Sequence, residues 1–245
     1  SQLVGGVLPV FYFIDHGNTS RLHLCRTQLY GRVLWEACIN GSSELMTNLS
    51  SSIVNSLYNI QLMKLAGQDG VAAYGTIMYV NFIFLAIFFG YSIGSAPIVS
   101  YHYGAGNHAE LKNLFQKSLT LISTWGISLV LLAQLLAHPL SMLFVGYDAA
   151  LLTMTEHGFR IYGLVYLISG FNIFGSSFFT ALNNGGVSAA ISFLRTLLFQ
   201  IAAVTLLPIR FGINGIWSSI SVAELLTLCV TVTFFLTQKK KYHYA

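Results

Sequence analysis

The stretch S-L-T-L-I-S-T-W-G-I-S-L-V-L-L-A-Q-L-L-A, residues 118–137, runs for twenty positions without a charge. About 20 apolar residues at a rise of about 1.5 Å each span the ~30 Å hydrocarbon core of a bilayer. Of the 245 residues, 55% are hydrophobic and 8% charged, and the mean hydropathy is +0.67. A soluble domain carries about 25% charged residues, and no soluble core of this size hides so much apolar surface. The chain therefore reads as an all-α integral membrane protein. Helices satisfy their own backbone in lipid, and the long unbroken apolar runs lack the alternation of barrel strands. The net charge of +4 calls for no nucleic acid.

Working outward from this segment, five more spans appear. They are Gly41–Leu65, Val71–Tyr103, His157–Leu182, Val187–Leu207 and Ile213–Thr237, separated by turns at 67–70, 104–107, 146–148, 183–186 and Pro208. Leu3–Ile14 is too short to cross, so residues 1–14 are expected to be the tail of a truncated helix and the chain a fragment. Residues 15–40 read as a cytoplasmic linker with an interfacial helix anchored by Trp35, 41–238 as a six-helix membrane lobe, and 239–245 as a basic tail. Arg21, Arg26, Arg32, Lys112, Lys117, Lys239, Lys240 and Lys241 share one side, against Lys64, Arg160 and Arg210 on the other. The positive-inside rule puts the richer side, with the C-terminus, in the cytoplasm of a multi-pass cell-membrane protein. Cys25, Cys38 and Cys229 form no C-x-x-C pair and no metal spacing. No catalytic motif is visible, and neither a metal nor a cofactor is expected.

Polar residues form stripes inside the spans. Glu44, Asn48, Ser51, Asn55 and Asn59 recur at steps of four and three on the first, one face of a helix. Tyr162, Tyr166, Ser169, Asn172, Ser176 and Thr180 do so on the fourth, and Ser221, Glu224, Thr227 and Thr231 on the sixth. One polar side chain in a span is ordinary interhelical glue, but whole stripes favour a water-filled cavity. Glu44, Arg195 and Glu224 lie within spans, where a charge at the centre costs about 2.5–3.5 kcal/mol on insertion scales, so they pair or face water. Glu44 lies on the order of 12 Å past Glu36, a depth close to that of Arg195, whereas Glu224 lies about 21 Å from Gln238. On depth alone Arg195 reaches Glu44 more easily, while a long side chain can still bridge toward Glu224. Burial raises a carboxyl pKa and a neighbouring arginine lowers it, so an intramembrane acid suits exchange of a proton or sodium ion for a cationic solute.

The run G-Y-S-I-G-S-A-P-I-V-S-Y-H-Y-G-A-G-N, residues 90–107, places Gly90 and Gly94 at helix–helix contact spacing ahead of Pro97. These three are expected to form a hinge, with the helix packed through the glycines and broken at the proline.

Together with G-S-S-E-L at 41–45, L-Y-N-I-Q-L-M-K-L-A-G-Q-D-G-V-A-A-Y-G at 57–75, S-F-F-T-A-L-N-N-G-G at 177–186, S-F-L-R-T-L-L-F-Q at 192–200 and G-I-W-S-S-I-S-V-A-E-L-L-T at 215–227, that run resembles the second half of multidrug and toxic compound extrusion (MATE) transporters. The resemblance covers nearly the whole chain in order. It implies helices seven to twelve of a twelve-helix transporter that exchanges protons or sodium ions for organic cations by alternating access. It also implies a second lobe as partner, either the missing N-terminal half or a second copy. Sodium-coupled relatives place carboxylates on helices corresponding to the first and fourth spans. Here Glu44 is the sole acid on the first and the fourth has none below Glu156, so coupling falls to Glu44 and Glu224 or to the other lobe. Two alternatives are a lipid-linked oligosaccharide flippase, whose cavity would be more cationic, and a scaffold subunit with dry polar interfaces.

Overall fold

A computed structural model of the chain describes residues 7, 11–13 and 29–244, with the backbone alone at 40, 42–44, 46 and 47. The short helix tail and most of the linker expected in residues 1–28 lie outside the described residues. Residues 1–37 and 38–245 form two compact units.

Among the described residues every regular element is helical. Helix α1 spans Gly31–Gly104, α2 His108–Val145, α3 Ala149–Tyr162, α4 Tyr166–Ala181, α5 Gly185–Phe193 and α6 Phe199–Tyr242. A 3₁₀ turn, Gly163–Val165, joins α3 to α4, and a π segment, Leu194–Leu198, joins α5 to α6. Four continuous apolar stretches result. Two of them are divided by a glycine with non-helical backbone, Gly67 (φ 62°, ψ −148°) in α1 and Gly212 (φ 55°, ψ −134°) in α6. Counted through these breaks, the helical segments are the six expected from hydropathy. The fold is an all-α membrane lobe.

The turns follow from local chemistry. After α1, Gly106 takes φ 68° and the Asn107 N–H donates to His102 O at 2.9 Å. Asn107 then caps α2 by accepting from Glu110 N. Asp148 caps α3 through Ala150 N and Leu151 N. Asn184 caps α5 by accepting from Val187 N, next to Asn183 at φ 57°.

The segment running through α3 and α4 is the centre of the lobe. In its most apolar window 56% of residues are buried, against 17–22% in the other three stretches, whose outer faces carry Phe82, Leu135, Leu143 and Ile209. Apolar side chains on those faces suit contact with lipid. Glycines let the neighbours approach closely: a Cβ on Gly158 would meet the Trp217 ring at 2.9 Å, and one on Gly175 the Thr231 methyl at 2.6 Å. Gly90 and Gly94, by contrast, have nothing within 4 Å of an added Cβ. The expected packing through them is corrected: Phe88, Ser92 and Val99 form the buried face there, and Ser177 Oγ donates to Ser92 O. Nor does Pro97 end the helix, which keeps its helical dihedrals to Gly104. A proline removes one i→i−4 bond, and a helix packed on its other face tolerates that loss. The break sits at Gly67 instead.

At the C-terminal end α6 continues through Lys239, Lys240 and Lys241 to Tyr242. His243, in the left-handed region, turns Tyr244 back into the bundle. Tyr244 is fully buried among Phe115, Phe178 and Phe179, and its hydroxyl donates to Phe235 O.

Candidate functional site

The polar stripes of the fourth, fifth and sixth segments meet inside the lobe. Arg195 lies on the π segment, and its Nε donates to Glu224 Oε1 at 2.7 Å. The two side chains are 12% and 3% exposed, so this is a buried ion pair. Asn172 on α4 gives its amide to Glu224 Oε2 at 2.6 Å and to the Glu224 carbonyl at 2.9 Å. The Asn172 carbonyl oxygen accepts from Thr231 Oγ1 at 2.9 Å. Both carboxylate oxygens are thus engaged, one by a cation and one by an amide that is itself fixed. A π bulge rotates side chains off the regular α register, and this one carries the arginine that meets Glu224. Of the two pairings that the sequence left open for Arg195, the one that depth made harder, with Glu224, is formed. Depth along separate helices says nothing of which faces oppose each other, and α6 packs against both the π segment and α4.

Below this network the fourth segment is tied to the fifth. Ser176 Oγ lies 2.9 Å from Ser188 Oγ and 2.8 Å from Ser192 Oγ, and Thr180 Oγ1 lies 2.6 Å from Ser188 Oγ. Ser169 is buried and donates to its own helix at Val165 O. Ser176 and Thr180 thus pair with hydroxyls of the fifth segment, and Ser169 with a backbone carbonyl of its own. Sequence reasoning passed over Ser188 and Ser192, although their four-residue spacing on one face was visible.

The first stripe behaves differently. Asn48, Ser51, Asn55 and Asn59 are all exposed, on a helix whose length and composition suit a membrane. Asn55 Oδ1 accepts from Tyr74 OH at 2.9 Å. Tyr74 stacks on Tyr58, with ring centroids 5.0 Å apart, and Tyr58 OH donates to Gln200 Oε1. Tyr58, Tyr74 and Gln200 were absent from the sequence-based site. Glu44 belongs to the same helix, and its side chain lies outside the described residues. Tyr162 and Tyr166 are buried at 2% and 0%. Gly90, Gly94 and Pro97 lie well along the second segment, away from the Arg195–Glu224 pair in sequence and on an exposed face.

A second ionic cluster sits at the end of the lobe opposite Tyr244. Glu156 is held by His138 Nδ1 at 2.7 Å and by Arg160 Nη2 at 2.8 Å. The His138 hydrogen bond first, and then that of Arg160, keep its carboxyl below the ordinary carboxylate range.

The family model named MatE matches residues 45–205. Among solved structures, a MATE in complex with MaL6 superposes with a TM-score of 0.87 at 16% identity, covering 99% of this chain and 55% of that one. A MOP-superfamily transporter from Pyrococcus furiosus gives 0.87 at 16%, with 98% and 54% covered. A Vibrio cholerae MATE transporter in the bent form gives 0.75 at 18%, with 88% and 48% covered. The chain thus spans about half the length of the structures it matches. Among curated proteins none matches by sequence. The match to the family model over most of the chain, on a fold of six apolar helical segments, makes this protein a member of the MatE family.

Proposed function

We propose that the chain is the C-terminal lobe of an antiporter that exports organic cations in exchange for protons or sodium ions. Family membership supports transport, and one matched structure is described as a multidrug resistance MATE family transporter. The observation that carries the reading is the contrast between two acids. Glu224 is buried and locked by Arg195 and Asn172. Glu44 continues a stripe whose other members, Asn48, Ser51, Asn55 and Asn59, are exposed. Polar side chains in a membrane helix avoid lipid and face protein or water, so this face lines a cleft closed by a second lobe, either a preceding half or a second copy. Glu44 is the site for the cationic solute or the coupling ion. Glu224 is a two-state lock: loading its carboxylate with a proton or sodium ion releases Arg195 and shifts the fourth, fifth and sixth segments relative to one another. The lobes then rock by alternating access, with the C-terminus on the cytoplasmic side of the cell membrane.

A flippase for lipid-linked oligosaccharides needs free cationic groups in its cleft, and Arg195, the sole basic residue deep in a span, is already engaged by Glu224. A scaffold subunit would have no use for an exposed polar stripe in a membrane helix. The test is efflux of a fluorescent organic cation from cells expressing this lobe with its partner lobe. Glu44→Gln is expected to abolish efflux at unchanged membrane abundance; full efflux in that variant overturns the assignment.

A further inference from the structure

Four buried polar atoms along one helix interface have no hydrogen-bond partner among the described residues: Tyr162 OH, Tyr166 OH, Trp217 Nε1 and Ser221 Oγ. Tyr162, Tyr166 and Trp217 are exposed by 2%, 0% and 1%. An unpaired hydroxyl or indole N–H in an apolar interior is unfavourable, and such groups are ordinarily satisfied by protein or by ordered water making about three hydrogen bonds.

The four are not scattered. The segment through α3 and α4 runs parallel to α6, because Gly158 packs on Trp217 while Asn172 bonds Glu224 and Thr231. Between those two levels, Tyr162 and Tyr166 follow Gly158 at steps of four, and Ser221 follows Trp217 at four, with Glu224 three further on. The unpartnered atoms therefore line the interface from Trp217 to Glu224. At the Trp217 end, one turn away, His157 Nε2 and Asn214 Oδ1 meet at 2.9 Å on the exposed surface. The 3₁₀ turn Gly163–Val165 lies between the two tyrosines.

We propose that Tyr162, Tyr166, Trp217 and Ser221 hold a file of buried water connecting the His157–Asn214 end of the lobe to the Glu224 carboxylate. Each tyrosine and the serine accept one water and donate to another, while Trp217 only donates. The file gives Glu224 aqueous contact that Arg195, Asn172 and Thr231 deny it from their sides. Tyr58 and Tyr74, buried in the same core, have given their hydroxyls to Gln200 and Asn55. The file's role as the route by which protons reach the lock rests on the antiport reading. The water itself does not.

X-ray radiolysis generates hydroxyl radicals from bound water and oxidises the side chains beside it. The experiment irradiates the purified chain in lipid nanodiscs and compares rates by mass spectrometry, with Tyr244 as the internal control. Tyr244 is equally buried and its hydroxyl is satisfied by Phe235 O. Tyr162 and Tyr166 are expected to oxidise several-fold faster than Tyr244, and Ser221→Val to slow Tyr162 while leaving Tyr244 unchanged. Oxidation of Tyr162 and Tyr166 no faster than Tyr244 overturns the water file, and the wild-type chain alone decides this if Ser221→Val fails to fold. The readout uses no substrate and no gradient, so pH-insensitive efflux alongside labelled tyrosines would count against the antiport reading and not against the water.

Discussion

Among the described residues Arg195 pairs with Glu224, and the energetics of that partnership are asymmetric. Removing the cation strands a carboxylate that is 3% exposed. Breaking a buried ion pair by deleting one member costs about 3–5 kcal/mol, whereas replacing both members with apolar groups is close to neutral. Arg195→Met is therefore expected to lower the unfolding midpoint strongly in detergent. The double variant Arg195→Met/Glu224→Met recovers most of the loss, and equal loss in both would show that packing, not charge, holds the segments. Glu156 offers a pH test outside the membrane segments. Its carboxyl is held below the ordinary range, so its contribution to stability is present above the unfolded pKa and fades as pH falls through the lower folded one. Glu156→Gln should lower the midpoint at neutral pH, and the gap should close in acid below the ordinary carboxylate range. Glu224 stood out in the sequence because charge is rare in an apolar span. The network that joins it to Arg195, Asn172 and Thr231 did not, since they come from different segments and pairing across segments depends on helix rotation.

Pro97, read as a break, leaves the helix intact, whereas the turn expected over 67–70 does hold the break of α1, at Gly67, with φ 62° and ψ −148°. That region is essentially confined to glycine, and another residue held there costs about 1–3 kcal/mol. Gly67→Ala and Gly212→Ala are expected to destabilise by that amount. Gly90→Ala, with open space around its Cβ, should leave the unfolding midpoint unchanged. A large loss from Gly90→Ala would restore the close helix contact that its spacing first implied. A run of three lysines marks a solvated end, but it does not stop a helix, and α6 carries Lys239–Lys241 to a left-handed His243 that buries Tyr244.

Six apolar segments and their order were readable because hydropathy depends on composition alone, and the family resemblance rested on runs spread over the same segments. What composition withholds is which polar stripe is buried. The stripe at Ser176 and Thr180 is consumed by Ser188 and Ser192, whereas that at Asn48, Ser51, Asn55 and Asn59 is exposed. Both read alike as polar residues at helical spacing. The chain matches about half the length of its structural neighbours, so vesicles holding this lobe alone are expected to show no efflux, and supply of the partner lobe to restore it. The two-state lock is tested by imposing pH gradients of increasing size on vesicles holding both lobes and recording the initial rate of dye efflux. Wild-type efflux should rise with the gradient, whereas that of Glu224→Gln, whose amide mimics a permanently protonated lock, should stay flat. A gradient dependence in Glu224→Gln equal to that of the wild type would contradict the lock.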